Sequence, residues 1–214
     1  QTLTLTLNGS TYTNTVTSNA TTVTITAAGL QALTDGESYT LTADVSDAAG
    51  NAASQVTSSS FSVDKTVPSI NAIGTGAFSW GAVLNATEDD SDGTVSVTTV
   101  DVDDGQTLTL TLNGSTYTNT VTSNATTVTI TAAGLQGLTD GTSYTLTADV
   151  SDAAGNAASQ VTSSSFSVDT SAPSINAIGT SAFSWGAVLN STEDDSAGTA
   201  VSYTHLRAHE TSID

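Results

Sequence analysis

Leucine and threonine alternate without a break across Thr107–Leu112 ("TLTLTL"), which puts the leucines on one face of a strand and the threonines on the other. Asn113-Gly114 follows, a pair in which both positions tolerate positive φ. It predicts a two-residue turn, with the chain returning antiparallel through "STYTNTV". "TTVTIT" predicts a further strand with Val128 and Ile130 inward. Asp140-Gly141 marks a turn before "SYTLTADV", in which Tyr144, Leu146, Ala148 and Val150 share a face. "DAAGN" (152–156) reads as a loop, and a last strand ends in Phe166 and Val168. Upstream, "SINAIG" and "GTVSVTTV" add two strands. Helical periodicity is missing, and "TAAGLQGL" has room for a turn at most.

This pattern occurs twice. Residues 1–94 align with 106–199, a period of 105, with eight differences at Ala32, Glu37, Lys65, Thr66, Val67, Gly76, Ala86 and Asp92. Seven short strands with turns between them in about a hundred residues predict an all-β chain of tandem immunoglobulin-like β-sandwich repeats. Pro68 and Pro173 each follow a strand ending in Asp, and proline suits a linker or the first residue of an edge strand. The expected frame is therefore an incomplete repeat at 1–66 lacking its first strands, a complete repeat at 67–170, and the opening strands of a third at 171–200. No methionine occurs, so the sequence is expected to be a segment of a longer chain.

Charge narrows the function. Asp and Glu number 21 against Lys65 and Arg207 alone, a net charge of −19. Such a surface repels nucleic acid and anionic membranes, and it attracts hard cations. With 37% hydrophobic residues in regular alternation the chain can still build cores, and with no cysteine it holds neither disulfides nor thiolate metal sites. No apolar run reaches membrane-spanning length. A disulfide-free, Thr- and Ser-rich acidic chain fits a bacterial extracellular protein.

Both histidines and the arginine lie in the last fourteen residues, so upstream of these no Ser-His-Asp or Cys-His unit can be assembled. Paired carboxylates on the loops of a small sandwich lack the cleft that glycoside chemistry needs. The expectation is a chain that is not an enzyme.

"LNATEDDSDGTVSVTTVDVDDGQTLTLTLNGSTYT", "LTDGTSYTLTADVSDAAGNAAS" and "VDTSAPSI" resemble the bacterial Ig-like domains repeated in giant surface adhesins. The resemblance covers residues 1–200. It implies RTX-type adhesins exported by type I secretion, an extracellular place on the bacterial cell surface, and a role in cell adhesion or biofilm formation. It also implies spacer repeats whose partners are their neighbours in the same chain, with any host-cell or biofilm-matrix ligand held by other domains, and Ca²⁺ at the domain junctions as a structural cofactor. The competing reading is a multivalent module binding carbohydrate or another cell through Thr/Ser faces and exposed tryptophans, Trp80 and Trp185.

Placing loops at the two poles of a sandwich sorts the carboxylates. Asp101, Asp103 and Asp104 of "DVDDG", Asp152 and Asn156 of "SDAAGN", and Asp64 from the preceding repeat are expected at one junction. Asn85, Glu88, Asp89 and Asp90 form a second cluster toward the other pole, with Asp169 and Asp140. Within it, the resemblance implies metal ligands at Asn85 and Glu88. Ca²⁺ takes about six to eight oxygens, and the loop pattern is not that of an EF-hand. Asp35 and Asp140 read as turn residues, Tyr39 and Tyr144 as core, and both tryptophans as packed over the sandwich edge.

The chain leaves the repeat at Ala200. His205 and His209 lie one helical turn apart with Glu210 beside the second, a tempting metal pair. Yet "VSYTHLRAHET" (201–211) resembles one translated frame of a transposase-type sequencing adapter, so 201–214 is expected to form no domain and to carry no site.

Overall fold

A computed structural model describes residues 1–18, 20–175, 177–202 and 204–205. Arg207, His209 and Glu210 lie outside the described residues. The first repeat contains β1 (Thr2–Leu7), β2 (Ser10–Thr15), α1 (Ala27–Gln31), β3 (Ser38–Tyr39), β4 (Leu41–Val45), β5 (Val56–Thr57) and β6 (Phe61–Ser62). Ten strands follow: β7 (Ser69–Ile70), β8 (Val83–Asn85), β9 (Gly93–Val100), β10 (Thr107–Leu112), β11 (Ser115–Thr120), β12 (Ala125–Ile130), β13 (Ser143–Tyr144), β14 (Leu146–Asp149), β15 (Val161–Thr162) and β16 (Phe166–Asp169). Between β12 and β13 lies α2 (Ala132–Gln136). Beyond these, β17 (Ser174–Ile175) pairs with β18 (Thr204–His205).

The protein is a tandem immunoglobulin-like β-sandwich. One sheet runs β11-β10-β14-β15; the opposite layer is made of β12-β9-β7 and β13-β16-β8. Leu108, Leu110 and Leu112 of β10, Val95 and Val97 of β9, Val128 and Ile130 of β12, Leu146 and Ala148 of β14, and Phe166 and Val168 of β16 meet in one continuous core. Full burial of each large aliphatic side chain contributes about 1.5–3 kcal/mol. The β10–β11 turn takes positive φ at both residues, 47° at Asn113 and 80° at Gly114, which matches the right-handed twist of the flanking strands.

Three details depart from the sequence pattern. The "SINAIG" strand shrinks to Ser69–Ile70, and the chain then crosses by a 3-10 turn at Thr75–Ala77 to β8. There it pairs in parallel with β16, so one segment serves both parts of that layer. "TAAGLQ" forms a five-residue helix, because the Thr131 hydroxyl caps it by accepting from Gly134 N. The third departure lies in the first repeat. "ATTVTI" is a strand at Ala125–Ile130 against β9, whereas the same six residues at 20–25 have no ladder partner and form no strand.

Trp80 is buried, stacked on Phe78 at 5.2 Å and edge-on to Phe166 at 5.3 Å. It packs over Gly93, where a Cβ would lie 2.6 Å from the ring. An exposed sugar-binding tryptophan is therefore not what the central repeat presents. Trp185, in the third stretch, is half-buried on Phe183.

Candidate functional site

The β9–β10 loop owes its shape to Val102. This side chain is buried, and its N–H donates to Asn124 Oδ1 at 3.1 Å. With Val102 turned in, Asp101 and Asp103 on either side face out, and Asp101 takes a positive φ of 57°. Asp103 Oδ2 accepts from Ala153 N at 2.9 Å, joining this loop to the β14–β15 loop.

Asp152 organises that second loop and is itself buried. Its carboxylate accepts Asn156 N and Asn156 Nδ2, both at 2.8 Å. Burial raises the Asp152 pKa, but the hydrogen bonds from the Asn156 side chain and backbone outweigh it and hold the group below the usual 3.8. Asp47 and Asn51 build the same loop in the first repeat, so the geometry is intrinsic to "DAAGN".

Asp64 comes from the preceding repeat. Its carbonyl accepts Asn156 Nδ2 at 3.3 Å, a direct contact between repeats. Asp64, Thr66, Asp101, Val102, Asp103 and Asp152 line one open hollow of about 280 Å³. The structure thus brings Asp64, Asp101, Asp103 and Asp152 to one hollow, with Asn156 bonded to both Asp64 and Asp152. Asp104 turns away: its Oδ1 accepts Ser123 N at 2.6 Å in the β11–β12 turn.

The second cluster is organised differently. Asn85 Oδ1 accepts the N–H groups of Thr87 and Glu88 while Glu88 Oε2 accepts Asn85 N, a reciprocal capping box. The same box recurs at Asn190 and Glu193, so it is local. Asp89 is half-buried with its N–H on the Asn85 carbonyl. Asp169 lies beside Asn85 through the parallel β16–β8 register, and its Oδ1 accepts Ser171 N. Asp90 Oδ1 accepts from Gln136 Nε2 at 3.1 Å.

Sequence reasoning missed a clasp. Asp35 Oδ1 accepts Lys65 N at 2.6 Å and its Oδ2 accepts the Thr66 hydroxyl at 2.9 Å. Asp140 does the same to Thr170 N and Ser171 Oγ. The backbone hydrogen bond from Lys65, then the hydroxyl hydrogen bond from Thr66, lowers the Asp35 pKa. Lys65 Nζ also donates to the carbonyls of Gln31 and Leu33. An Asp-Gly pair whose Asp is followed 31 residues later by a hydroxyl at the linker is the signal that could have found it.

The junction donors are hard oxygens of the kind Ca²⁺ takes. As they stand, no three carboxylate or imidazole groups among the described residues are grouped closely enough to hold a metal ion. The donor chemistry fits a divalent cation, while Asp103 and Asp152 are engaged by backbone and amide N–H groups.

No family model and no curated protein matches the chain. A solved bacterial immunoglobulin-like domain from the M. primoryensis ice-binding adhesin is 33% identical over 48% of this chain and 96% of its own length, with a TM-score of 0.34. Identity at that level across a whole domain decides the family. The chain belongs to the bacterial immunoglobulin-like domains. Two longer solved structures are similar to this immunoglobulin-like chain. One is a Ca²⁺-stabilised adhesin with which an Antarctic bacterium binds ice, 34% identical over 83% of this chain, with a TM-score of 0.45. The other is a 1.5-MDa bacterial ice-binding adhesin, 31% identical over 79%, with a TM-score of 0.42. The immunoglobulin-like chain spans 43% and 53% of their respective lengths.

Proposed function

We propose that these repeats are non-catalytic spacers of an extracellular bacterial surface adhesin, stiffened by Ca²⁺ at the junctions between neighbouring repeats. The observation that carries this reading is the hollow into which Asp64 of one repeat and Asp101, Asp103 and Asp152 of the next converge. Like charges at close range disfavour one another, so without a cation the junction loosens; a bound Ca²⁺ would tie the carboxylates of both repeats into one shell. Asn85, Glu88, Asp89 and Asp169 at the opposite pole would offer oxygens to the following repeat, and Asp104 would help only by leaving Ser123. Cell attachment or biofilm formation, and export by an RTX-type type I route, belong to the same reading.

Small-angle scattering of the chain in millimolar Ca²⁺ and in chelator tests it. Ca²⁺ is expected to lengthen the maximum dimension and sharpen the distance distribution. The double substitution Asp64→Asn, Asp101→Asn should abolish the difference. Equal flexibility with and without Ca²⁺ in the unsubstituted chain would defeat the spacer reading.

A further inference from the structure

The path from the first repeat to the central one is pinned on both sides of a single residue. Asp35 opens the Asp-Gly turn before β3, and Gly36 N donates to Val63 O, which fastens that turn to the chain just past β6. Both oxygens of the Asp35 carboxylate then hold the linker. Oδ1 accepts Lys65 N at 2.6 Å and Oδ2 accepts the Thr66 hydroxyl at 2.9 Å. Thr66 N donates in addition to Asp64 Oδ1 at 3.0 Å, so two carboxylates grip one threonine. On the far side Pro68 is buried, and Ser69 and Ile70 pair at once with Val100 and Thr99 of β9. Val67 alone lies between these anchors, and it is 61% exposed. Because proline follows it, its own backbone is confined largely to extended conformations.

We propose that the Asp35 carboxylate is a metal-free clasp that sets the direction in which the central repeat leaves the first, with Val67 as the hinge residue. Asp35 is a positioning residue: it acts through the linker, by removing the backbone freedom of Lys65 and Thr66. The clasp is not peculiar to one junction. Asp140 accepts Thr170 N at 3.0 Å and Ser171 Oγ at 2.7 Å, and Asp169 Oδ1 accepts Ser171 N at 3.3 Å. Ala172 then stands alone before Pro173. Residues 65–67 differ from 170–172 at every place, yet the hydroxyl in the middle is kept, Thr66 as Ser171. Lys65 Nζ adds ties to the Gln31 and Leu33 carbonyls that Thr170 cannot make, so those ties are accessory to the clasp. From the central repeat, Asn156 Nδ2 reaches the same segment at the Asp64 carbonyl. None of these bonds requires a cation. The clasp therefore stands apart from the spacer reading: it limits how far the junction swings without metal, and Ca²⁺ would stiffen a direction already chosen.

Distances between spin labels across the junction test it. The chain has no cysteine, so Thr13→Cys and Thr118→Cys, exposed and at equivalent places, put one label on each repeat. In chelator the labelled chain should show one narrow distance distribution. Asp35→Ala should add a broad component and raise the unclasped fraction several-fold, as loss of hydrogen bonds to a charged acceptor does. Thr66→Val removes only the hydroxyl bond and should broaden the distribution less. Thr66 is exposed, so this variant leaves the packing of both repeats intact. Thr66→Ser should keep the narrow distribution, because Ser171 makes the same contact at the next junction. Urea unfolding followed by tryptophan fluorescence should give the central repeat the same midpoint in every variant. A parent distribution in chelator as broad as that of Asp35→Ala would overturn the clasp. So would an unchanged width with Thr66→Val, or a Thr66→Ser chain as broad as Thr66→Val. Adding Ca²⁺ to the labelled parent is a separate arm: no further narrowing there would defeat the spacer reading and leave the clasp standing.

Discussion

At the scale of single residues, the two repeats share nearly all their side chains, yet a few glycines and carboxylates fix the shape. Gly93 is the clearest case. Its backbone needs no unusual φ, but the Trp80 ring and Leu135 Cδ1 stand 2.6 Å and 3.0 Å from where a Cβ would be. Trp80 cannot retreat easily, held as it is between Phe78 and Phe166. Gly93→Ala should therefore destabilise the central repeat by about 1–3 kcal/mol, the usual cost of overpacking a filled core. Urea unfolding followed by tryptophan fluorescence reads it; an unchanged midpoint would mean that the ring moves freely. Trp80 Nε1 is buried without a hydrogen-bond partner among the described residues, so this tryptophan serves in packing and not through its N–H.

Among the elements, the segment "ATTVTI" separates what a sequence carries from what a partner strand supplies. Its β-branched residues favour an extended chain in both copies. At Ala125–Ile130 it pairs along its length with β9, while at 20–25 it lacks a ladder. Hydrogen exchange on this chain should show residues 126–130 protected on the order of 100-fold more than 21–25. Equal protection would mean that residues 20–25 find a partner within one chain. The contrast also explains how much was legible beforehand. The inward faces of β10, β12 and β14 and the Asn113-Gly114 turn follow from period-two alternation and turn chemistry, both local properties. The crossing of the first strand to pair in parallel with β16 rests on long-range packing that no local pattern encodes. At the candidate site, the loops that meet were legible from their place at one pole. The aim of each carboxylate was not: Asp104 reaches Ser123, Asp152 is absorbed by Asn156, and Asp35 clasps the linker. Those choices depend on which N–H groups are left over once the strands have paired.

Over the whole molecule, electrostatics sets two opposing demands. Two basic residues cannot offset 21 acids, so the folded chain works against its own repulsion at neutral pH. Raising the ionic strength from about 0.01 M to 0.15 M shortens the screening length from roughly 30 Å to roughly 8 Å, and in chelator this should raise the thermal midpoint. Acid acts through particular groups. Asp35, Asp47 and Asp152 are held below 3.8 in the folded chain by hydrogen bonds that only their charged forms accept in full. A carboxyl lowered by folding contributes stability that is complete above its unfolded value and disappears as pH falls through the folded one. Calorimetry in chelator and 0.15 M salt should therefore find the midpoint steady between about pH 5 and 7 and falling once the pH drops below 3.8. Asp152→Asn keeps the amide contacts possible but cannot titrate. It should lower the midpoint at neutral pH and flatten the acid limb of the central repeat's transition. A substituted chain that lost stability in acid as steeply as the parent would assign that limb to other carboxylates, and would leave the "DAAGN" loop held by its backbone hydrogen bonds alone.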